Sequence, residues 1–321
     1  MDIDSCTAKF ISSAKVERNL SERTIKAYTS DLRPLSEYFV GKNVNEITTD
    51  DLRGYLRTLE ENNYHKDTTI RRRIATMKVF FGFLEDENAI SLSPARKIKK
   101  KYEIAKHLPR VIPLREVKRL LRAPSRERKS LEDTSENNGS NTNHQLKQRM
   151  IRCCRDKAIL ELLFSTGMRI GELVNLNLSD VDFSARTMLI FGKGRRERLV
   201  YLSSDEVMES VKEYLSYRMG MKTSSPAIFL NRFGEGLTIY SVENIFRRYC
   251  KMARIKKHYT PHCLRHTMAT MLSDNGADIR EVQEILGHAS IATTQIYTYV
   301  SAERKRKVLM KFNQRNRMKI S

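Results

Sequence analysis

The stretch AILELLFSTGMRIGEL, residues 158–173, decides the fold of this chain. Its first seven residues are almost all apolar and predict a buried helix. Gly167 is typical of a residue that ends a helix, and Arg169 then begins the next one. An arginine at a helix start lies beside free backbone N–H groups, which also attract anions. Arg169 is therefore a candidate anion-binding residue, although a lone arginine is more often only a surface residue.

A second basic cluster lies in PHCLRH, residues 261–266. On a helix, His262 and Arg265 share a face and reach one phosphate. His262 and His266 also have the spacing of a zinc-binding helix, but the glutamate of that motif and further ligands are missing. We therefore expect no metal here, and we interpret His266 as a packed core histidine.

Two more candidates follow towards the C-terminus. Leu286-Gly287-His288 ends a helix with an apolar face, and Gly287 suits the helix stop. His288 then lies just outside that helix, free to point into a cleft. Tyr297 follows within TTQIYTYV, residues 293–300.

A β-hairpin is predicted between these helices. Residues 187–191 and 198–202 are β-rich runs, and residues 192–197 join them. That connection is basic, contains two glycines and carries Lys193.

In combination these motifs resemble the tyrosine site-specific recombinases of the Xer and phage-integrase type. The resemblance is carried, in this order, by TGMRIGEL, GKGRRER, TPHCLRHTMAT, LGH and TTQIYTYV. It covers most of residues 114–305, and residues 1–90 resemble that family's N-terminal DNA-clamping helical domain less specifically. The chain departs from the family pattern in residues 125–149, which are expanded relative to compact Xer-type chains.

The resemblance implies a catalytic set made of Arg169, Lys193, His262, Arg265, His288 and Tyr297. The two guanidiniums would hold the non-bridging oxygens of an anionic phosphodiester and stabilise the charge that grows in the transition state. The Tyr297 phenol, with an ordinary pKa of about 10, needs His262 to assist its proton transfer. Lys193 is the implied acid for the leaving 5′-oxygen, and His288 would hydrogen-bond the phosphate.

Attack by Tyr297 would leave a 3′-phosphotyrosine that retains the energy of the cut bond. Rejoining then needs no ATP and no metal, so we expect no cofactor, and the sequence contains no P-loop motif. Glu172 either orients this site or only occupies an ordinary position near a helix start.

The first module, residues 1–92, is predicted to be a helical DNA-binding domain. Helices are expected to begin near Ser21, near Thr48 or Thr49, and near Thr68 or Thr69. The third helix carries four cations that we interpret as a phosphate-contacting face rather than a merely solvated one: Arg71, Arg72, Arg73 and Lys78.

Residues 93–113 are interpreted as a basic interdomain linker, because prolines bracket the run RKIKKK. Within it, Lys99, Lys100 and Lys101 are candidate DNA contacts. The catalytic domain is then expected to span residues 114–305, interrupted by a polar loop at about 125–144, within which SENNGSNTN, residues 135–143, is expected to be disordered.

The predicted fold class is mostly α with a small β-hairpin or sheet. Seven helices are expected in the second module, at 114–122, 145–166, 204–219, 240–254, 262–274, 278–286 and 292–312. Residues 306–321 form a C-terminal helix and tail with the apolar stripe Val308, Leu309 and Phe312. The resemblance implies that this helix docks on a neighbouring protomer; packing on its own domain is the alternative.

Composition indicates a polyanionic partner. The chain has 59 Lys and Arg against 38 Asp and Glu, a net charge of +21, most of it in the second module. No apolar run spans a bilayer and no secretory signal is visible, so DNA is favoured over lipid. The five cysteines form no C-x-x-C pair and predict reduced thiols in a cytoplasmic protein.

The partner expected from the resemblance is double-stranded DNA with paired half-sites, bound by a dimer per site and joined in a tetrameric synapse. Two other functions stay open: a type IB topoisomerase and a non-catalytic DNA-binding protein such as a repressor. Asp180 and Asp182 are the best carboxylate pair for a two-metal nuclease, but LSDVDFS reads more simply as a turn. The sequence does not separate dimer resolution from integration or excision of a mobile element.

Overall fold

A computed structural model gives the fold, and the part of the chain that it describes comprises residues 1–18, 20–61, 67–98, 110–137, 144–191, 197–287 and 302–318. The chain divides into two compact units, Met1–His107 and Leu108–Ser321. Each unit has a hydrophobic core of its own.

The first unit is a bundle of four helices: α1 (Ile3–Val16), α2 (Glu22–Tyr38), α3 (Thr49–Glu61) and α4 (Asp67–Asp86). Three of them confirm the helices predicted from capping residues, and Ser21 accepts a hydrogen bond from the Thr24 N–H at the start of α2. The first helix was not predicted. Its signal is an Asp2 cap before an apolar stripe, and Ile3, Cys6 and Phe10 of that stripe are buried.

The predicted linker is wrong at both of its ends. Residues Pro94–Lys97 form a 3-10 turn, and Ala95 and Ile98 are buried in the core of the first unit. Ile112 is fully buried in the core of the second unit, where its N–H donates to Thr267. Apolar burial therefore anchors both ends; Lys99, Lys100 and Lys101 lie outside the described residues.

The second unit contains helices α5 (Leu114–Asn137), α6 (His144–Thr166), α7 (Ile170–Val174), α8 (Asp205–Arg218), α9 (Ile239–Met252), α10 (Pro261–Asp274), α11 (Ile279–Leu286) and α12 (Ala302–Phe312). It is built around α6, which packs on α5, α8 and α10. The C-terminal half of α6 is buried on every side, as the apolar run in residues 158–164 predicts.

The polar loop predicted at about 125–144 is wrong for most of its length, because α5 continues to Asn137. Pro124 lies inside this helix without ending it. The added turns are held by contacts with the rest of the unit and within the helix. Leu131 is 7% exposed, and Arg128 pairs with Glu213 of α8 and, one turn along α5, with Glu132. Residues 138–143 lie outside the described part.

The predicted hairpin is confirmed as part of a three-stranded antiparallel sheet. It consists of β1 (Val181–Asp182), β2 (Thr187–Phe191) and β3 (Glu197–Tyr201), in that order. Asp182 accepts hydrogen bonds from the backbone N–H groups of Ser184 and Ala185, so it closes the turn between β1 and β2.

The C-terminal helix α12 packs on its own unit. Val308 and Leu309 are each 2% exposed and belong to the core that α6 and α10 build. Arg315 lies just after it and is also buried, with its guanidinium bonded to Glu161 at 2.5 and 2.9 Å. In this single chain, the apolar residues Val308 and Leu309 are therefore covered by their own unit, as the alternative to docking on a neighbouring protomer predicts.

Among the described residues, no helix is both long and apolar enough to cross a membrane.

Candidate active site

The start of α7 presents Arg169, as the sequence predicts. Arg169 is the residue before the helix, and its backbone N–H donates to Glu172 Oε2 at 2.7 Å. Its guanidinium donates to Glu172 Oε1 at 2.9 Å and to the Gly287 carbonyl at 3.3 Å. The side chain is 39% exposed, so the guanidinium is held by Glu172 and Gly287 while part of it remains accessible to a ligand.

The turn before Arg169 requires glycine. Gly167 has a φ of +63°, in the left-handed region that other residues adopt at a cost. A Cβ placed there would lie 2.6 Å from Leu286 Cδ2 and 3.1 Å from Met268 Sδ. This close approach brings α6, α10 and the end of α11 together at one point.

Arg265 projects from α10 into the same turn. It is 5% exposed, and its guanidinium donates to the Gly167 carbonyl at 2.6 Å and to the Leu286 carbonyl at 2.7 Å. The carbonyls of Leu286 and Gly287 close α11, where the negative end of a helix dipole favours cations. Consecutive carbonyls therefore hold Arg265 and Arg169 side by side.

The two guanidiniums repel each other, and the site compensates only in part. Burial, followed by the charge of Arg169, lowers the pKa of Arg265 to about 10, so it remains charged near neutral pH. Burial acts to raise the pKa of Glu172, but hydrogen bonds from Arg198 and Arg169 outweigh it and bring the pKa below its ordinary value. The site thus has an excess of positive charge that suits an anion.

His262 precedes Arg265 by one turn of α10 and is exposed, in a position open to a bound substrate. Partial burial of its ring and then the charge of Arg265 lower the pKa of His262, which favours the neutral form able to accept a proton. His266 is exposed too, so its interpretation as a packed core histidine is wrong. Among the described residues, no three His, Cys, Asp or Glu side chains come together as a metal-ligand set.

Sequence analysis missed Arg198 of β3. Its guanidinium binds both oxygens of Glu172, at 2.6 and 2.8 Å, and its side chain is 15% exposed. The available signal was the alternation of β3, in which Arg198 and the buried Val200 share one face of the strand. A charged residue on the inward face of a strand indicates a buried partner of opposite charge.

Three residues of the predicted catalytic set, Lys193, His288 and Tyr297, lie outside the described residues. The structure therefore brings together Arg169, His262 and Arg265 from that set and adds Glu172 and Arg198 around them.

The cations predicted to contact DNA from the first unit lie on α4. Arg71 and Lys78 are exposed. Arg72 is half exposed and bonds the buried Asp31 of α2 at 2.9 Å, while Arg73 is only partly exposed. Within the run of arginines, Arg71 thus lies at the surface, whereas Arg72 also takes part in the contact between α4 and α2.

Two parts of the chain match models of known protein families. Residues 136–304 match the model of the phage integrase family, and residues 8–88 match that of the phage integrase N-terminal SAM-like domain.

Similar whole proteins are also known. A tyrosine recombinase of Agathobacter rectalis is 35% identical over 294 residues, or 92% of this chain and 91% of that protein. Tyrosine recombinase XerD of Staphylococcus epidermidis is 34% identical over 317 residues, or 96% of this chain and 98% of the relative. The solved structure of a lambda integrase dimer bound to a COC′ core site has a TM-score of 0.65 at 17% identity, over 94% of this chain and 100% of that one. This last likeness concerns the fold, and with the helices and sheet described above it confirms the predicted fold class.

Proposed function

Because the chain belongs to the phage integrase family of tyrosine recombinases, we propose that it is a site-specific recombinase that cuts and rejoins duplex DNA through a 3′-phosphotyrosine. The observation that carries this proposal is the pair Arg169 and Arg265, fixed on consecutive carbonyls at the Gly167 turn.

This pair is preorganised for a phosphate. The guanidiniums are held before any substrate arrives, so little reorganisation is needed when charge develops on the phosphorus oxygens. Arg169, Arg198 and Arg265 face the single carboxylate of Glu172, which leaves two positive charges in the cluster. A pentavalent phosphorane carries two negative charges, one more than the diester, so the cluster favours the transition state over the ground state.

The remaining chemical roles follow the family pattern and are part of the proposal. Tyr297 attacks the phosphorus, and neutral His262 assists the transfer of its proton. Lys193 protonates the leaving 5′-oxygen, and His288 hydrogen-bonds the phosphate. The energy of the cut bond stays in the phosphotyrosine, so a 5′-hydroxyl from another strand reverses the step without ATP or metal.

The substrate is double-stranded DNA with paired half-sites, bound by one protomer on each half-site and joined in a tetrameric synapse. The lambda integrase structure is itself a dimer on a core site, and this chain matches its fold. We propose that residues 1–92 and 114–305 act as the DNA-clamping and catalytic domains. Arg71, Arg72, Arg73 and Lys78, with Lys99, Lys100 and Lys101, would bind backbone phosphates.

The reaction serves dimer resolution or the integration or excision of a mobile element, and it takes place in the cytoplasm. Both outcomes require the same cut at a defined sequence.

Sequencing cellular DNA that stays attached to the protein after denaturation tests this function. Fragments should converge on one or a few sites with inverted half-sites around the cut. Attached fragments scattered over the genome would indicate a topoisomerase, and a complete absence of attached DNA would indicate a binding protein without catalysis; either result contradicts the proposal.

A further inference from the structure

Arg198 occupies an unusual place for a strand residue. It belongs to β3, pairs across the sheet with Ile190, and directs its guanidinium away from the sheet onto Glu172 of α7. Glu172 is 5% exposed, so this ion pair is largely shielded from water. A pair of this kind is strongly directional, because both partners lose hydration that only good geometry replaces.

The carboxylate of Glu172 is shared equally between two arginines. Oε1 accepts from Arg169 Nη1 at 2.9 Å and from Arg198 Nη1 at 2.6 Å. Oε2 accepts from the Arg169 backbone N–H at 2.7 Å and from Arg198 Nη2 at 2.8 Å. Arg198 thus fixes the plane of the carboxylate that in turn fixes both the backbone and the guanidinium of Arg169.

The other side of Arg198 rests against the end of α11. A Cβ built on Gly287 would lie 2.9 Å from Arg198 Cδ and 3.0 Å from its Nη1. The Gly287 carbonyl also accepts the outer bond of Arg169. Arg198 therefore fills the space between Glu172 and Gly287, the two groups that hold the Arg169 guanidinium.

We propose that Arg198 is a positioning residue for DNA cleavage: it keeps Glu172 ionised and oriented, and thereby holds Arg169 in place for the scissile phosphate. This inference rests on the proposed recombinase function. Arg198 acts through Glu172 and needs no contact with DNA.

The requirement is for arginine specifically. Its planar guanidinium matches the two carboxylate oxygens at once, whereas a lysine ammonium contacts them as a point charge. Arg198→Lys should therefore retain the charge and lose the fixed plane.

The test uses the full chain and a nicked duplex that carries the cut site mapped as described above. The single-turnover rate of covalent adduct formation is measured beside the affinity for the same duplex. Arg198→Met should slow adduct formation on the order of 10²-fold, the effect of a small misplacement of a catalytic group, with duplex affinity little changed. Arg198→Lys should fall between Arg198→Met and the unaltered chain.

Arg186→Met is the matched control. Arg186 directly precedes β2 of the same sheet and forms an ion pair with Asp205, a carboxylate that is 82% exposed. The charge change is the same, but the cleavage rate should stay within about 2-fold, as expected for loss of a surface pair. Equal slowing in both variants would overturn the proposal.

The pH dependence separates positioning from general structural damage. Three charged groups surround Glu172: Arg169 at the start of its own helix, Arg198 of β3 and Arg265 of α10. Helix α9 also packs on α7, and its Glu243 acts by its charge on His262. Without Arg198, fewer hydrogen bonds offset the burial of the Glu172 carboxylate, so the pKa of Glu172 rises. The acid limb of the cleavage profile should then move to higher pH. A uniform loss at all pH values contradicts the proposal.

A double-mutant comparison guards against misfolding, because Arg198→Met alone leaves a buried carboxylate underbonded. The chain with both Arg198→Met and Glu172→Gln has neither charge. If Arg198 acts through Glu172, the double variant cleaves no more slowly than Glu172→Gln alone. If Arg198→Met slows the Glu172→Gln chain as much as it slows the unaltered chain, the proposal is wrong.

The unaltered chain distinguishes this inference from the function on which it rests. Failure of that chain to form an adduct at its mapped site would remove the recombinase function. Normal adduct formation by both the unaltered chain and Arg198→Met would remove only the role of Arg198.

Discussion

Each unit of the molecule holds arginines on a buried carboxylate, but the two arrangements differ in how fully the carboxylate is bonded. In the first unit, Asp31 receives one bond from Arg72 and one from Thr76. Burial therefore dominates and raises the pKa of Asp31. In the second unit, Glu172 receives four bonds from Arg169 and Arg198, and its pKa is lowered despite similar burial.

Under the proposed function, the comparison shows how the proposed catalytic arginine, Arg265, differs from a proposed DNA-binding one, Arg72. Arg72 is 47% exposed and has one anchor, so it can follow a mobile phosphate backbone. Arg265 is 5% exposed and is fixed by two carbonyls, so its position is set before substrate binds. Rigid placement serves a transition state, whereas adaptable placement serves affinity.

The largest expected effect is on cleavage by the second unit. Arg169→Ala and Arg265→Ala should each slow adduct formation by about 10²–10³-fold, because each removes a preorganised donor to the developing charge. Duplex binding should change little, since many other cations contribute to it. Arg71→Ala, an exposed arginine of α4, is the control and should cleave normally at saturating DNA. Equal losses of binding and cleavage in the Arg169 and Arg265 variants would indicate a structural role.

Glycines offer a second contrast between the units. Gly167→Ala places a Cβ 2.6 Å from Leu286 in a backbone with positive φ, which should lower the free energy of unfolding by at least about 1–3 kcal/mol. Gly82→Ala in α4 meets nothing within 4 Å and should be neutral or stabilising by up to about 1 kcal/mol. Denaturant unfolding measures both, and a neutral Gly167→Ala would show that the turn is not tightly packed.

The two carboxylates should respond oppositely to pH. The pKa of Asp31 is raised above the ordinary value of 3.8 for an aspartate. The ionisation of Asp31 therefore lowers the free energy of unfolding as the pH rises from 3.8 through the folded-state pKa. Glu172 has a lowered pKa, so its contribution is present above 4.5 and is lost as pH falls through the folded-state pKa.

Hydrogen exchange resolved by unit checks this difference between the carboxylates. Relative to the unaltered chain, Asp31→Asn should remove a loss of stability with rising pH from the first unit, and Glu172→Gln should remove a gain with rising pH from the second. Only these differences are compared, because Asp51, Asp156 and Glu161 also have shifted pKa values and contribute in both variants. Changes of the same sign in the two variants would contradict the bonding contrast.

The smallest effect concerns salt. Replacing both Arg71 and Lys78 by alanine should lower the log–log slope of DNA binding against salt by about 0.9 for each lost phosphate contact. Arg186→Ala, with its ion pair in the second unit, serves as a comparison and should leave the slope unchanged. Binding measured from low to moderate salt gives both slopes, and an unaltered slope in the α4 variant would remove that face from the DNA contacts.

Local signals predicted much of the fold. Ser21 caps α2, and the apolar run in residues 158–164 forms the buried end of α6, because capping and hydrophobic burial act over a few residues. The continuation of α5 through Pro124 was not predictable in the same way. Its polar sequence resembles a loop, and the contacts that hold it reach across to Glu213 of α8.

The candidate site shows the same limit. Arg169 and Arg265 lie in recognisable motifs, and the structure places them on neighbouring carbonyls. Arg198 is the last residue of the GKGRRER motif, but the motif does not show its ion-pair partner, Glu172, which lies 26 residues earlier in the chain. Exposure of His266 was missed because helical spacing alone does not say which face of α10 is covered.

Which tyrosine attacks DNA is tested most directly by adduct formation in two single variants. Tyr297 and Tyr299, both outside the described residues, would point about 200° apart on a helix, so only one can face the phosphate. On a nicked duplex that traps the cut strand, Tyr297→Phe should bind DNA normally and form no covalent adduct, whereas Tyr299→Phe should form it. An adduct formed by Tyr297→Phe would contradict the assignment of Tyr297 as the nucleophile.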